Sequence, residues 1–263
     1  MSTELERELT YHEKLYSGFA QAHFAKPAVR AVREHLVRRI LEVTGATANS
    51  RVLSVGCGIG DTELVLARHV GEVVGVDLSP SAIGQAQADA KRLGVLNFRG
   101  VCGTLEEAAA SLGQFDAVIA IFFLHHLPNG TLEAFPVLVR SLLREGGTFY
   151  ALDPSKYRLS GFIGELLFPK LMARYQSPGE RQLAPEETAR LFGGRHAYYD
   201  FVSTPLAGLF PSWRGGYQMA RMVDEGLIRM PGLRKVSSNF EVIARRDQST
   251  FEGSKNEALS GGK

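Results

Sequence analysis

Apolar residues follow two rhythms along this chain. From about Glu4 to Val43 they recur at helical spacing, with Val29, Val32, Leu36, Ile40 and Leu41 on one face of a helix that begins after Pro27. At Val52 the period changes. Val52 to Val55 is a short apolar run that stops at Gly56, as a buried parallel strand stops before a turn. A helix from Thr62 to Val70, a strand from Glu72 to Asp77, a helix from Pro80 to Leu93 and a strand from Asn97 to Val101 follow. The alternation continues with a strand over Phe115 to Ile121, a helix over Leu132 to Leu143 and a strand over Gly147 to Asp153. Beyond Asp153 it loosens into helices at Gly161 to Tyr175, Pro185 to Phe192 and Trp213 to Ile228, with strands at Ala197 to Ser203 and Asn239 to Arg245.

Strands that alternate with helices at this spacing form a parallel sheet covered on both faces. The predicted architecture is therefore α/β: a doubly wound, mostly parallel seven-stranded sheet with helices on both faces. An N-terminal helical layer and helical insertions in the C-terminal third complete it. Residues 1–45 are expected to form a helical cap and residues 46–246 the main domain, with insertions at about 155–185 and 205–235. Residues 247–263, rich in Ser, Gly and Lys, are expected to be a disordered tail.

The chemistry concentrates in VLSVGCGIGD, Val52 to Asp61, which sets Gly56, Gly58 and Gly60 between a strand and a helix. Glycines suit that place because the backbone must turn sharply and approach a ligand closely, leaving amides at a helix N-terminus free to bind it. Such a cluster alone is weak evidence. Its weight comes from Asp77, which ends the next strand 21 residues after Gly56, where a carboxylate can accept hydrogen bonds from both hydroxyls of a ribose. Together they specify an adenosine-containing ligand. Dinucleotide folds use G-x-G-x-x-G to seat a pyrophosphate, whereas this chain reads G-x-G-x-G, which disfavours a nicotinamide-dependent oxidoreductase.

At this point the chain resembles the class I, Rossmann-like S-adenosylmethionine-dependent methyltransferases. VLSVGCGIG is similar to their first motif and GVDLSPSAI (Gly75 to Ile83) to their second. FDAVIAIFFLHHL (Phe115 to Leu127) is similar to their fourth, and LLREGGTFYALDP (Leu142 to Pro154) to the segment entering their fifth strand. The resemblance implies S-adenosylmethionine as cofactor and S-adenosylhomocysteine as product, with no metal. It implies that Gly56, Cys57 and Gly58 approach the methionine part, that Asp77 holds the ribose and Leu78 covers the adenine, and that Ile121 to Phe123, Phe122 included, close over the cofactor. The chain departs from the family at two points. Ser54 stands where an acidic residue is usual, which leaves the methionine ammonium to Asp61, backbone carbonyls or water. GVCGTLEE (Gly100 to Glu107) lacks the usual aspartate, which leaves the adenine amino group to backbone at Gly103, Thr104 or Leu105.

Methyl transfer from a sulfonium is an in-line displacement by an already activated donor, so the enzyme must align, exclude water and, for some acceptors, remove a proton. The candidate bases are His125 and His126, at the end of the fourth strand where open α/β sheets present their crevice. Packing or loop orientation is the alternative for each, since the LHHLP pattern recurs among methyltransferases of differing chemistry. Tyr11, His12 and Tyr16 in the N-terminal layer are candidates for a lid over cofactor and acceptor, Tyr11 near the reacting groups and Tyr16 over the cofactor, with ordinary helix packing as the alternative. The insertions carry large apolar residues (Phe162, Leu166, Leu167, Phe168, Leu171, Met172; Leu209, Phe210, Trp213, Tyr217, Met219, Met222) interleaved with Arg174, Arg214 and Arg221. They read as a cap over a partly apolar acceptor such as a natural product, quinone or lipid-like molecule, with core packing or a homodimer contact as alternatives.

Composition narrows the partners. Lysine and arginine number 30 against 28 aspartate and glutamate, too balanced to call for a nucleic acid. With no Asn/Asp-Pro-Pro-aromatic signature after the fourth strand, an RNA or protein methyltransferase is disfavoured. A methyltransferase-like sensor or scaffold that binds the nucleoside without turnover is the alternative outside enzymes. No apolar run of roughly 18 residues occurs, so no stable membrane insertion is expected, and the charged first twenty residues point to the cytoplasm. Cys57 and Cys102, with no CxxC or Cys/His cluster, read as packed reduced thiols.

Overall fold

The computed structural model describes Glu6, Leu9, Thr10, Glu13, Tyr16 and residues 19–167 and 180–247. Helices α1 (Phe19–Phe24) and α2 (Pro27–Thr44) precede the sheet. Pro27 opens α2 and Gly45 ends it in the left-handed conformation, with φ of 68°. Val29, Val32, Leu36 and Ile40 are buried along one face of this helix, as their spacing predicts.

Seven strands follow: β1 (Arg51–Val55), β2 (Glu72–Asp77), β3 (Phe98–Cys102), β4 (Phe115–Ile121), β5 (Leu143–Pro154), β6 (Arg195–Asp200) and β7 (Asn239–Arg245). Between β1 and β5 run α3 (Glu63–Leu66), α4 (Pro80–Arg92), α5 (Leu105–Leu112) and α6 (Asn129–Leu142). After β5 come α7 (Leu159–Leu167), α8 (Pro185–Leu191), α9 (Ser203–Leu209) and α10 (Arg214–Ile228). The spatial order is β3-β2-β1-β4-β5-β7-β6. The chain winds outward from β1 to β3 and then crosses to β4 on the other side of β1. That reversal opens a crevice at the carboxyl ends of β1 and β4.

Alternate residues of each strand face opposite layers. Leu53, Val55, Val118, Ala120, Phe149 and Ala151 pack with α5, α6 and α8, whereas Val52, Ala117, Ile119, Tyr150 and Leu152 pack with α2 and the segment from Leu66 to Val70. Side chains such as Leu53 and Ile119 are fully removed from water, each burial contributing about 1.5–3 kcal/mol.

The expectation of a mostly parallel sheet is corrected: the sheet is mixed. β1 to β5 pair in parallel, but β7 lies between β5 and β6 and runs antiparallel to both. Direction was inferred from strand–helix alternation, and β7 returns from β6 through α9 and α10 by a connection that permits reversal. Two short helices, α5 and α9, stand where no helix was expected, and α3 has only four residues. Cys102 is exposed on edge strand β3, against its reading as a packed residue, while Cys57 is buried. The predicted disordered tail falls, beyond residue 247, outside the described residues, as does 168–175 of the helix expected up to Tyr175. No helix among the described residues is long and apolar enough to cross a membrane.

Candidate functional site

The turn after β1 is built on left-handed backbone: φ is 69° at Gly56, 51° at Gly58 and 75° at Gly60. The amides of Gly56 and Cys57 donate to the carbonyl of Val76 at 2.8 and 3.2 Å, which ties the turn to β2. A β-carbon on Gly56 would collide with the Phe123 ring, and one on Gly58 would lie 2.6 Å from the Tyr16 hydroxyl. Glycine is required there on both counts. At the end of β2, Asp77 accepts from the Gly58 amide at 2.7 Å and from the Ser79 amide at 2.9 Å, so backbone hydrogen bonds fix its carboxylate beside the turn.

These elements enclose a cavity of about 680 Å³. Of the predicted site residues, Tyr16, Gly56, Cys57, Gly58, Asp61, Asp77, Leu78, Gly103, Thr104, Leu105, Ile121, Phe122 and His126 line it. Gly60 does not; its Cα faces Ala86 of α4, which a β-carbon there would approach to 3.1 Å. Phe122 adopts a positive φ of 53° where β4 ends, a strained conformation for a bulky side chain and a common mark of functional loops. Thr104 and Glu107 form a reciprocal capping box that starts α5 at the cavity wall. The Cys57 thiol is pushed up by burial, with Glu63 and Asp77 adding to the shift, which fits a packed thiol rather than a nucleophile.

Beneath the glycine turn lies a carboxylate that the sequence reading passed over. Glu63, at the start of α3, is buried and lines the cavity. The Ser54 hydroxyl donates to its Oε1 at 2.7 Å, and its Oε2 is buried with no hydrogen-bond partner. Burial, then the neighbouring Asp61, pushes its carboxyl up to about 7. Asp61 itself is ion-paired with Arg33 of α2. An acidic residue in a helix's first turn reads as a partner for the helix dipole, which hid Glu63 from a sequence reading.

The two histidines part company. His126 lines the cavity. His125 is buried, its Nδ1 is 2.7 Å from Asp153 Oδ1, and its backbone amide donates to the same oxygen at 3.2 Å. Burial pushes the Asp153 carboxyl up from its usual range. Donor atoms of His125, His126 and Glu180 lie within 4.8 Å of one another, close enough to hold a cation.

From the N-terminal segment, Leu9 and Tyr16 line the cavity. Burial, then Asp77 and Asp61, push the Tyr16 phenol well up, so it stays neutral. Glu13 accepts from the Ser79 hydroxyl and from the Ser81 amide, fastening this segment to the start of α4. Tyr11 and His12 lie outside the described residues. None of the described residues of segments 155–185 and 205–235 lines the cavity. α9 and α10 pack instead on α2, and Leu209, Phe210, Trp213, Met219 and Met222 are exposed.

A carboxylate fixed beside a bare glycine turn, and a buried carboxylate oxygen with no partner in the wall of the same cavity, fit an adenosine that carries an amino acid. The sheet order and the glycine turn define a Rossmann-like α/β domain. Residues 52–147 match the family described as Methyltransferase domain. The chain is 27% identical over 234 residues to the demethylmenaquinone methyltransferase of Tropheryma whipplei, covering 86% of this chain and 89% of that one. It is 35% identical over 123 residues to the ubiquinone biosynthesis O-methyltransferase of Xanthomonas axonopodis pv. citri, 47% and 49% of the two chains. Among solved structures, it shares the fold of the N-methyltransferase NodS of Bradyrhizobium japonicum in complex with S-adenosylhomocysteine. That match has a TM-score of 0.55 and 19% identity over 72% of this chain and 87% of that one. Residues 52–147 are thus a methyltransferase domain, set in a Rossmann-like fold that S-adenosylmethionine-dependent methyltransferases share.

Proposed function

We propose that the protein methylates a small, partly apolar organic acceptor of the quinone, natural-product or lipid-like kind. The observation that carries this reading is the composition of this cavity: Gly58 and Asp77 stand in its wall together with Phe123, Leu127, Pro128, Phe135 and His126. Its volume and apolar lining suit a cofactor and a small acceptor side by side. The names of the two relatives, a demethylmenaquinone and a ubiquinone-pathway methyltransferase, support an aromatic acceptor carrying apolar groups.

When bound, the cofactor supplies a methyl group activated by sulfonium charge. In this reading the backbone at Gly56 and Gly58 admits the methionyl part, with Cys57 beside it, and Asp77 accepts from the ribose hydroxyls. Leu78 and the stretch Gly103, Thr104 and Leu105 flank the adenine, while Ile121 and Phe122 close over it. Residues 1–45 serve as a cap, with Leu9 and Tyr16 excluding water from the reacting atoms. His126 takes the proton of an acceptor hydroxyl or acidic carbon, and His125 holds the loop against Asp153. The test is transfer of labelled methyl from S-adenosylmethionine to a panel of prenylated hydroquinones, simple phenols, fatty acids and hydrophilic amines. Labelling confined to hydrophilic amines, or to added RNA or protein, would sink the proposal.

A further inference from the structure

Glu63 is an anomaly that the methyl-transfer chemistry leaves unused. It is 2% exposed, yet it borders the cavity and keeps one oxygen, Oε2, without any hydrogen bond. An unsatisfied buried carboxylate oxygen is costly, and its persistence at a cavity wall calls for a ligand that satisfies it. The ligand's chemistry follows from the surroundings. Oε1 is occupied by the Ser54 hydroxyl, which orients the carboxyl from the cavity-side end of β1. Asp61, the other acid beside it, is already ion-paired with Arg33. Asp77 is engaged by two backbone amides and serves the ribose. A donor can fill the open position on ionised Glu63, and a cationic donor gains most.

We propose that Glu63, oriented by Ser54, receives the α-ammonium of the methionyl part of the cofactor. The proposal rests on the cofactor assignment above and adds the residue that anchors the amino-acid end. Ser54 thus stands in the place of an acidic side chain, and the acid is supplied from α3 instead. The charged and titratable groups around Glu63 are Asp61 in the loop before α3, Arg33 on α2 and Cys57 in the glycine turn. Burial, then Asp61, hold a proton on Glu63, while the Ser54 hydroxyl and, more weakly, Arg33 oppose this. An arriving ammonium favours the ionised form, so binding expels that proton near neutral pH.

The experiment is calorimetric titration of wild type and Glu63→Gln with S-adenosylhomocysteine and with 5′-methylthioadenosine, which has the nucleoside thioether but no amino acid. Each titration is run at pH 6.5 in two buffers of different ionisation enthalpy, which counts protons released. The expected result is a loss of about ten-fold or more in affinity for S-adenosylhomocysteine in Glu63→Gln, with methylthioadenosine binding unchanged. Wild type should release protons with the first ligand beyond any released with the second. Equal losses for both ligands, or no loss for S-adenosylhomocysteine, overturn the proposal. If Glu63→Gln does not fold, the wild-type proton counts decide, and equal counts overturn it. Wild type that binds methylthioadenosine alone removes the ammonium site but keeps the nucleoside site. Wild type that binds neither removes both.

Discussion

Arg39 on α2 grips Glu241 on β7 with two hydrogen bonds of 2.8 Å, although 202 residues separate them. Glu241 is 1% exposed and also accepts from the Tyr150 hydroxyl at 2.9 Å. Removing the guanidinium would strand a buried carboxylate, so Arg39→Ala should destabilise the fold by about 3 kcal/mol. Urea unfolding measures this, and a variant within error of wild type would show that the pair contributes little.

Asp77→Ala deletes the carboxylate that we propose accepts from the ribose hydroxyls. Affinity for S-adenosylhomocysteine should fall about 100-fold or more, with circular dichroism unchanged. Unaltered affinity in a folded variant would move the nucleoside elsewhere.

Burial of Glu63 gives stability a pH dependence of known sign. Its carboxyl ionises at 4.5 in an ordinary setting and at about 7 here. Below 4.5 it is protonated in folded and unfolded chains alike and contributes no penalty. Between these values the unfolded chain ionises first, binds fewer protons than the folded one, and stability falls as pH rises. The full penalty above about pH 7 is roughly 3 kcal/mol. Glu63→Gln should therefore gain stability relative to wild type between pH 4.5 and 7, by about that amount. Parallel denaturation curves across this range would contradict the assignment.

His126→Asn should lower the rate of methyl transfer by about 100-fold for an acceptor that must lose a proton, leaving S-adenosylhomocysteine affinity unchanged. His125→Asn should act through the loop it fastens to Asp153, lowering the melting temperature. Equal kinetic losses without any stability change in the second variant would reverse these roles.

Much of this was written in the chain itself. Short apolar runs alternating with helical stretches marked β1 to β5, and the interval from Gly56 to Asp77 marked two residues that line one cavity. What stayed hidden depends on approach in three dimensions. His125 meets Asp153 only because β4 and β5 end side by side. The direction of β7 has no trace in its own residues. α5 was not expected, although Leu105, Ala108 and Leu112 fall at helical spacing and are buried. The exposed apolar residues of α10 have a strong helical stripe, which says that one face is apolar but not where it lies.

The reversal of β7 also decides where the polypeptide leaves the sheet. Asn239 pairs with Pro154 at the cavity end, whereas Arg245 pairs with Thr148 near the start of the parallel run. Arg246 and Asp247 thus leave β7 at the rear of the sheet. A fluorophore, bead or fused protein tethered there stands a strand's length from the mouth through which substrates pass, and leaves it open.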